Sequence, residues 1–559
     1  MAEQTQRQKY NRRLSSLKNE RSTYESHWHE IADYLMPRAI RLTTADRQKQ
    51  GNKQNQNIID NTGTLALRTL ASGMMAGLTS PARPWFRLTT PDPAMMEYGP
   101  VKTWLFDTET AMREVFNKSN LYNVLPAMYS NIGAFGTGAF AVLEDPEDVI
   151  RCYPFPLGQY CIATSPRGVV DTIYREFQMT VYQLVAEFGI DNVSQPVRDN
   201  YNRGNYDSWI DVVHVIEPNL EALTTKSLRS KDKPFRSVYY EKAGQNNEAD
   251  EFLRESGFDE FPVMAPRWRV EGEDVYGWSP GMDALQDIKA LQLEQKRKLQ
   301  AIDKMVNPPM LADTQLRNSR VSMLPGDVIY IAGLNNSIGM KPVYEINPRI
   351  NELMLDIQET QGRIKRAFYE DMMVMLATGD NSQMTAREVE ERHQEKLLVL
   401  GPVMERLNDE LLDPLIDRTF SIMLKRGMIS KPPLELSGTD LKVEYISIMA
   451  QAQKMLGTSG LERFAGFAGN LAAVQPTVLD KLDVDQIMDE YGNMLGVPPR
   501  VIVPDDKVAM VRQQRAQQQQ MAQMQQMAET GATMAQGAEV LSRAKVDEAN
   551  GLTRMLGIA

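Results

Sequence analysis

The sequence predicts a helix-rich α+β chain built from several domains. Three observations carry that expectation. Stretches at 7–36, 280–306 and 348–426 place apolar residues at helical spacing. Between 138 and 270 the period shortens to that of strands. At 559 residues the chain exceeds one simple core, so about two to four domains are expected.

Composition narrows the class. With 42% hydrophobic and 24% charged residues and a mean hydropathy of −0.40, the chain reads as soluble and globular. No run of about 18 apolar residues occurs, so no membrane span or membrane partner is expected. The polar start, Met1-Ala2-Glu3-Gln4-Thr5-Gln6, predicts no secretory signal. Cys152 and Cys161 are the only cysteines, which fits a reducing compartment and makes no Cys-type zinc site. The net charge is −11. Tight wrapping around phosphates needs Lys and Arg, so this acidic chain is a poor candidate for it, and its charge leaves room only for surrounding DNA without gripping it. Methionine, at 33 residues, packs adaptably at interfaces and also fills cores.

In order, Leu14, Leu17, Tyr24, Trp28, Ile31 and Leu35 give the first helix an apolar face, and Pro37 stops it. His27 and His29 point to different faces, and His29-Glu30-Ile31-Ala32-Asp33 lacks the second His of a zinc helix. Residues 43–57 are a polar loop. Residues 60–81 form a helix of small residues suited to close packing, and Arg83 to Leu88 is extended. Helices follow at 101–120 and 121–135. The glycines of Gly133-Ala134-Phe135-Gly136-Thr137-Gly138 are in the wrong order for a dinucleotide fingerprint, and no Lys-Ser or Lys-Thr follows, so a packing and turn role is expected.

Strands are predicted at 139–143, 160–164 and 169–174, the last two joined by a turn at Ser165-Pro166-Arg167-Gly168. A short helix at 179–188 and strands at 210–216, 236–241 and 262–270 follow. Their irregular spacing excludes a parallel nucleotide-binding sheet.

Ser279 and Pro280 are a good N-cap and first residue for the helix 280–306, which Asn307-Pro308-Pro309 ends. Residues 310–346 are punctuated by Pro and Gly with short strands, notably Asp327 to Ile331. Asn347-Pro348 then starts a helix whose face is Ile350, Leu353, Met354, Ile357, Ile364, Phe368 and Met372. Its pattern dissolves at Ala377 to Ser382. Thr385 and Glu388 have capping-box spacing for a helix running to 426, bent or broken at Pro402 and Pro414. Shorter helices are expected at 445–457, 460–474 and 484–495. Asp505-Asp506 can cap a last helix, in which nine of the sixteen residues from Arg512 to Met527 are Gln. A lone helix of that kind is marginal, so order is expected only where copies associate.

No Gly-x-x-x-x-Gly-Lys-Ser/Thr, paired-His helix or nucleophile elbow occurs, and the four His are scattered. Glu390-Glu391 reads as solvated helix surface. No catalytic, cofactor-binding or metal-ligating residue, and no cofactor, is therefore assigned.

Three strings carry a resemblance: Leu70-Ala71-Ser72-Gly73-Met74-Met75-Ala76-Gly77-Leu78 with Trp85-Phe86-Arg87-Leu88; Tyr276-Gly277-Trp278-Ser279-Pro280-Gly281; and Met384-Thr385-Ala386-Arg387-Glu388-Val389. Their order, spacing and helix–insert–helix layout resemble the portal, or head-to-tail connector, proteins of short-tailed (podovirus-type) double-stranded DNA bacteriophages, over roughly residues 10–500. The resemblance implies a wing at 1–278, joined by part of the helix after 384. It implies stem helices at 279–306 and 348–376, a clip at 307–347 and a long kinked helix of wing or crown at 385–426. A crown at 427–503 and a Gln/Met-rich tail at 504–559, forming a helical barrel, complete it.

The implied tunnel loop at the channel constriction is Ala377, Thr378, Gly379, Asp380, Asn381, Ser382, Gln383 and Met384. The resemblance further implies a ring of about twelve copies, closed by heterologous contacts, through which double-stranded DNA passes. Its implied partners are the terminase large subunit, tail adaptors, major capsid and scaffolding proteins, and internal core proteins. The implied place is the portal vertex of the virion, after assembly in the host cytoplasm. Basic residues of the stem, Lys289, Lys296, Arg297, Lys298, Lys365 and Arg366, either approach DNA or pair with Asp and Glu of the next subunit. Alternatives are a nucleic-acid-processing enzyme with a cryptic carboxylate metal site, and a non-portal phage adaptor or scaffold.

Overall fold

The computed structural model describes residues 5–37, 57–92, 98–220, 232–242, 252–306, 350–378 and 400–436. It also describes the shorter pieces 310–311, 341–342, 441–447, 464–471, 483–494 and 507–524, and isolated positions beside these stretches. The chain divides into two compact units. One comprises 1–88, 107–431 and 443–456; the other comprises 89–106, 432–442 and 457–559.

In the first unit, helix α1 (Gln6–Leu35) starts where the Thr5 hydroxyl accepts the Gln8 amide, satisfying an otherwise orphaned donor. Its buried face carries Tyr10, Leu14 and Leu17 onto a five-stranded antiparallel sheet. That sheet is a meander of β4 (Tyr160–Thr164), β5 (Val170–Thr180), β6 (Trp209–Pro218), β7 (Phe235–Glu241) and β8 (Arg254–Phe258). Side chains alternate across a strand. Val213 and Val215 therefore meet α1, while Val212 lies in the cluster of α5 (Val181–Phe188) and α6 (Gln195–Asn202) on the other face. Thr180 and Gln183 close a capping box at the start of α5. A three-stranded sheet, in the order β3-β2-β9, joins β2 (Ala139–Asp145), β3 (Val149–Phe155) and β9 (Val263–Met264).

Helices α2 (Thr62–Leu78) and α4 (Leu121–Phe135) pack through small residues. A Cβ at Gly133 would lie 3.0 Å from both Leu67 and Leu70, and one at Gly73 would lie 2.5 Å from Met373. Helix α3 (Gly99–Lys118) brings Glu109 under β1 (Phe86–Thr89). There its carboxylate, 5% exposed, stands 3.6 Å from Arg113 and accepts the Leu88 amide. The remaining helices of this unit are α7 (Pro280–Val306), α8 (Ile350–Ala367), α9 (Glu370–Thr378), α10 (Gly401–Leu407) and α11 (Asp413–Lys425).

Several elements differ from expectation. The helix expected over 348–376 is interrupted at Tyr369, whose φ of 55° lies in the left-handed region. The break changes the phase of the buried face, so that Phe368, Met372 and Met373 are all buried. Between α10 and α11 the helix widens into a π-turn at Asn408–Leu412. Pro402 sits in the first turn of α10, where a missing amide hydrogen costs nothing, and Pro414 directly follows the π-turn, the distortion that accommodates a proline inside the run. Strands β3 and β8 are additional to those expected; their polar residues hide the period. The strand expected over 262–270 shrinks to β9, and 442–445 is a strand where a helix was expected to begin.

In the second unit, Asp483 caps α12 (Val484–Met494) by accepting the amides of Asp485 and Gln486 at 3.1 Å. Residues 507–524 are helical in the single chain, where order was expected only between associated copies, and Arg512 grips both carboxylate oxygens of Asp485 at 2.5 and 2.7 Å.

Two predictions follow from this packing. Gly136 and Gly168 have φ of 77° and 76°, but a Cβ at Gly136 would lie 2.0 Å from the Gly277 carbonyl oxygen, whereas at Gly168 nothing lies within 4 Å. G168A should cost about 1 kcal/mol, and G136A about 3 kcal/mol or more, as read from denaturant unfolding. Burial drives the Glu109 carboxyl up from 4.5 to about 7, against the pull of Arg113 and Arg87. The folded state thus holds a proton that the unfolded chain releases. The stability this provides is complete below pH 4.5 and is lost as pH rises through about 7. E109Q should therefore raise the melting temperature at pH 8.5, change it little at pH 4.5 and flatten the pH profile.

Candidate functional site

Helices α7 and α8 pack side by side, and the root of this hairpin is built backbone on backbone. Helix α4 ends at Gly136, whose carbonyl accepts the Trp268 amide at 2.8 Å. A Cβ at Gly277 would lie 2.2 Å from that same carbonyl, and one at Gly281 would lie 2.7 Å from the Ala134 carbonyl. Only glycine permits this approach. Thr137, fully buried, accepts the Gly277 amide at 2.8 Å. Ser279 caps α7 by accepting the Met282 amide at 3.0 Å, and its hydroxyl donates to the Ala134 carbonyl at 2.7 Å. Tyr276 packs between Trp28 and Tyr24 of α1, and its hydroxyl takes the Ile162 amide.

A buried ion pair locks the root to the helices after residue 400. Arg267, its side chain 3% exposed, donates to Glu410 from its amide at 2.9 Å, from Nε at 3.2 Å and from a terminal nitrogen at 2.6 Å. The same guanidinium donates to the Gly168 and Val275 carbonyls. Glu410 lies in the π-turn and also receives Arg406 at 3.0 Å.

Higher on the hairpin, Asp60 is a polar hub. Gln295 and Gln361 each donate to one of its oxygens at 2.9 Å, and Thr62 donates to the other. Burial alone would raise its pKa, but these bonds together hold the carboxyl below its ordinary range. Gln292, buried, accepts the amides of Ile59 and Asp60 at 2.7 and 2.8 Å. Beyond this hub the hairpin opens to solvent. Leu299, Ile302, Met305 and Val306 of α7 are exposed, as are Met354 and Leu355 of α8.

The basic residues singled out from sequence divide into two groups. Lys289 pairs with Glu30 of α1 at 2.7 Å, Lys365 with Glu370 at 3.4 Å, and Arg366 donates to the Gly362 carbonyl at 3.3 Å. Lys296, Arg297 and Lys298 make no ion pair among the described residues. Ala377 and Thr378 close α9. Gly379, Asp380, Asn381, Ser382, Gln383, Met384 and the cap pair Thr385 and Glu388 lie outside the described residues, as does most of 307–347. Within that stretch, Met310–Leu311 pairs antiparallel with Lys341–Pro342.

Among the described residues, no group of three His, Cys, Asp or Glu is placed to hold a metal, and no helix is long and apolar enough to cross a membrane. His214 is buried and stacked on Tyr239 at 3.7 Å. Burial pushes the Cys152 and Cys161 thiols up to about 12 and about 11, away from reactivity. The Asp60 hub and the Arg267–Glu410 pair were not foreseen; a buried Gln on an otherwise apolar face is the one signal that points to the hub.

Residues 7–503 match the family described as bacteriophage head to tail connecting protein. The chain belongs to that family. Among curated relatives, the "Portal protein" of Salmonella phage epsilon15 is 52% identical over 100% of this chain and 99% of its own. The "Probable portal protein" of Bordetella phage BPP-1 is 45% identical over 99% of each. Among solved structures, the virion of a native gene transfer agent particle covers 79% of this chain and 91% of its own, at 12% identity and a TM-score of 0.35, too distant a likeness to argue from.

The connector's root makes one prediction. E410A strands a buried guanidinium and should cost about 3–5 kcal/mol in denaturant unfolding, with E410Q recovering part of that loss.

Proposed function

We propose that this chain is a structural subunit of a portal ring at one capsid vertex. The ring is the channel for DNA packaging and ejection, and the platform on which the terminase large subunit and tail adaptors dock. Full-length similarity to phage portal proteins carries this reading. The role is structural, with the energy of packaging supplied by a separate motor. Residues 1–278, with part of 385–426, serve as the wing, α7 and α8–α9 as the stem, and 307–347 as the clip. Residues 427–503 serve as the crown and 504–559 as a barrel extending into the head, where exposed Met510, Met521 and Met524 suit association between copies. Major capsid, scaffolding and internal core proteins meet the ring during assembly in the host cytoplasm.

An acidic chain fits a channel that positions DNA without holding it, since its field repels phosphate at long range. The segment 377–384, whose Ala377 and Thr378 close α9 and whose remainder follows it, is the constriction. Deleting Gly379–Ser382 should leave rings intact in electron micrographs while packaging or retention of DNA fails. Loss of the rings themselves would make the segment structural and sink its assignment as the constriction.

A further inference from the structure

The α7–α8 hairpin has two chemically unlike sides. Gln292 and Gln295 of α7 and Gln361 of α8 all reach the Asp60 segment, so they mark one side. Residues four and seven places apart share a helix face. Lys296, Leu299 and Ile302 therefore continue this side along α7, and Met354 and Lys365 continue it along α8. All five are exposed, and the apolar three, at 54%, 38% and 45%, are too exposed to belong to this subunit's core.

Asp287 and Glu294 of α7 mark the opposite side with Asp356, Glu359 and Arg363 of α8. Arg363 donates to Asp287 at 3.2 Å and to Glu359 at 3.3 Å. Four carboxylates here face Arg363, with Lys298 of α7, four residues after Glu294, at the edge of the same side. Burial, with Asp356 and Asp287 close by, pushes the Glu294 carboxyl up, and one of its oxygens is buried without a hydrogen-bond partner. That side is short of positive charge.

The heights match as well. Glu294, which bonds Thr360 and faces Asp356, lies two residues before Lys296. Arg363, which bonds Asp287, lies two residues before Lys365. A lysine-flanked apolar row on one side and surplus carboxylate on the other are the two halves of a heterologous contact, which closes into a ring by rotation.

We propose that the Asp60 side of one hairpin docks on the carboxylate side of the hairpin in the next copy of this chain. Lys296, together with Lys365 once it exchanges its own Glu370, meets Asp356, Glu359 and Asp287 of the neighbour, and Leu299, Ile302 and Met354 are covered. Lys296 thus serves the ring wall, not the DNA. This inference rests on the ring reading above and assigns the two faces that close it.

The test is native mass measurement of the full chain at low salt, where charge pairing is least screened. K296E/K365E and D356K/E359K should each lower the assembled fraction about tenfold or more at equal concentration, with unchanged circular dichroism and melting confirming the fold. An equimolar mixture of the two variants should recover closed rings, because each reversed face then meets its complement in alternation. Wild-type rings with both variants assembling normally, or a mixture without recovery, would overturn the pairing alone. K296E/K365E rings of normal mass that lose salt-sensitive retention of duplex DNA would assign the lysines to DNA and overturn it too. A wild-type chain that never closes a ring would overturn the portal reading and the pairing together.

Discussion

The contact on which the rest of the first unit depends is the approach of two backbones at Gly136 and Gly277. Helix α4 ends and helix α7 begins within van der Waals reach of one another, with no side chain between them. Such an approach aligns the hairpin root as rigidly as two peptide planes allow. The buried polar groups follow from it. Thr137, Ser279 and the Gly136 carbonyl each find a partner across the junction, so no desolvated donor or acceptor opposes it. Tyr276, one residue before the contact, anchors the same loop to α1.

Around that fixed root lie two features that are costly in isolation. A buried arginine–glutamate pair is weak evidence for stability, since desolvation offsets much of its attraction. Its geometry points instead to alignment: the π-turn carries Glu410 to Arg267, and the guanidinium spans carbonyls of two loops. Tyr369 likewise sits in a backbone region that bulky residues avoid, with its ring 6.2 Å from Trp268 beside the root. Both features tie the segments on either side of 379–399 to the hairpin root.

The hairpin is held differently along its length. Near the root it is apolar, through Ile288, Leu291, Ile357 and Ile364. Higher up, the amides of glutamines converge on Asp60, a contact that is directional and fixes helix rotation. Beyond that its apolar residues face outward. A helix pair apolar within, polar at its collar and apolar again outside is shaped for contacts beyond its own subunit.

Much of the framework was legible from local pattern. The helix 280–306 and the strand 160–164 have the limits that spacing and capping predict, and the glycines of 133–138 have the packing role expected of them. Membership of the connector family follows from motif order, which survives where single motifs are too short to be specific. The chain by itself thus determined most of its helices, the hairpin of 160–174 and its family, the first two because they depend on neighbours within a few turns. The break at Tyr369, the Asp60 hub and the Arg267–Glu410 pair were decided by tertiary structure alone. Their partners lie 143 to 301 residues away, or, at Tyr369, in the competing burial of Phe368 and Met372, and no local period encodes such a meeting.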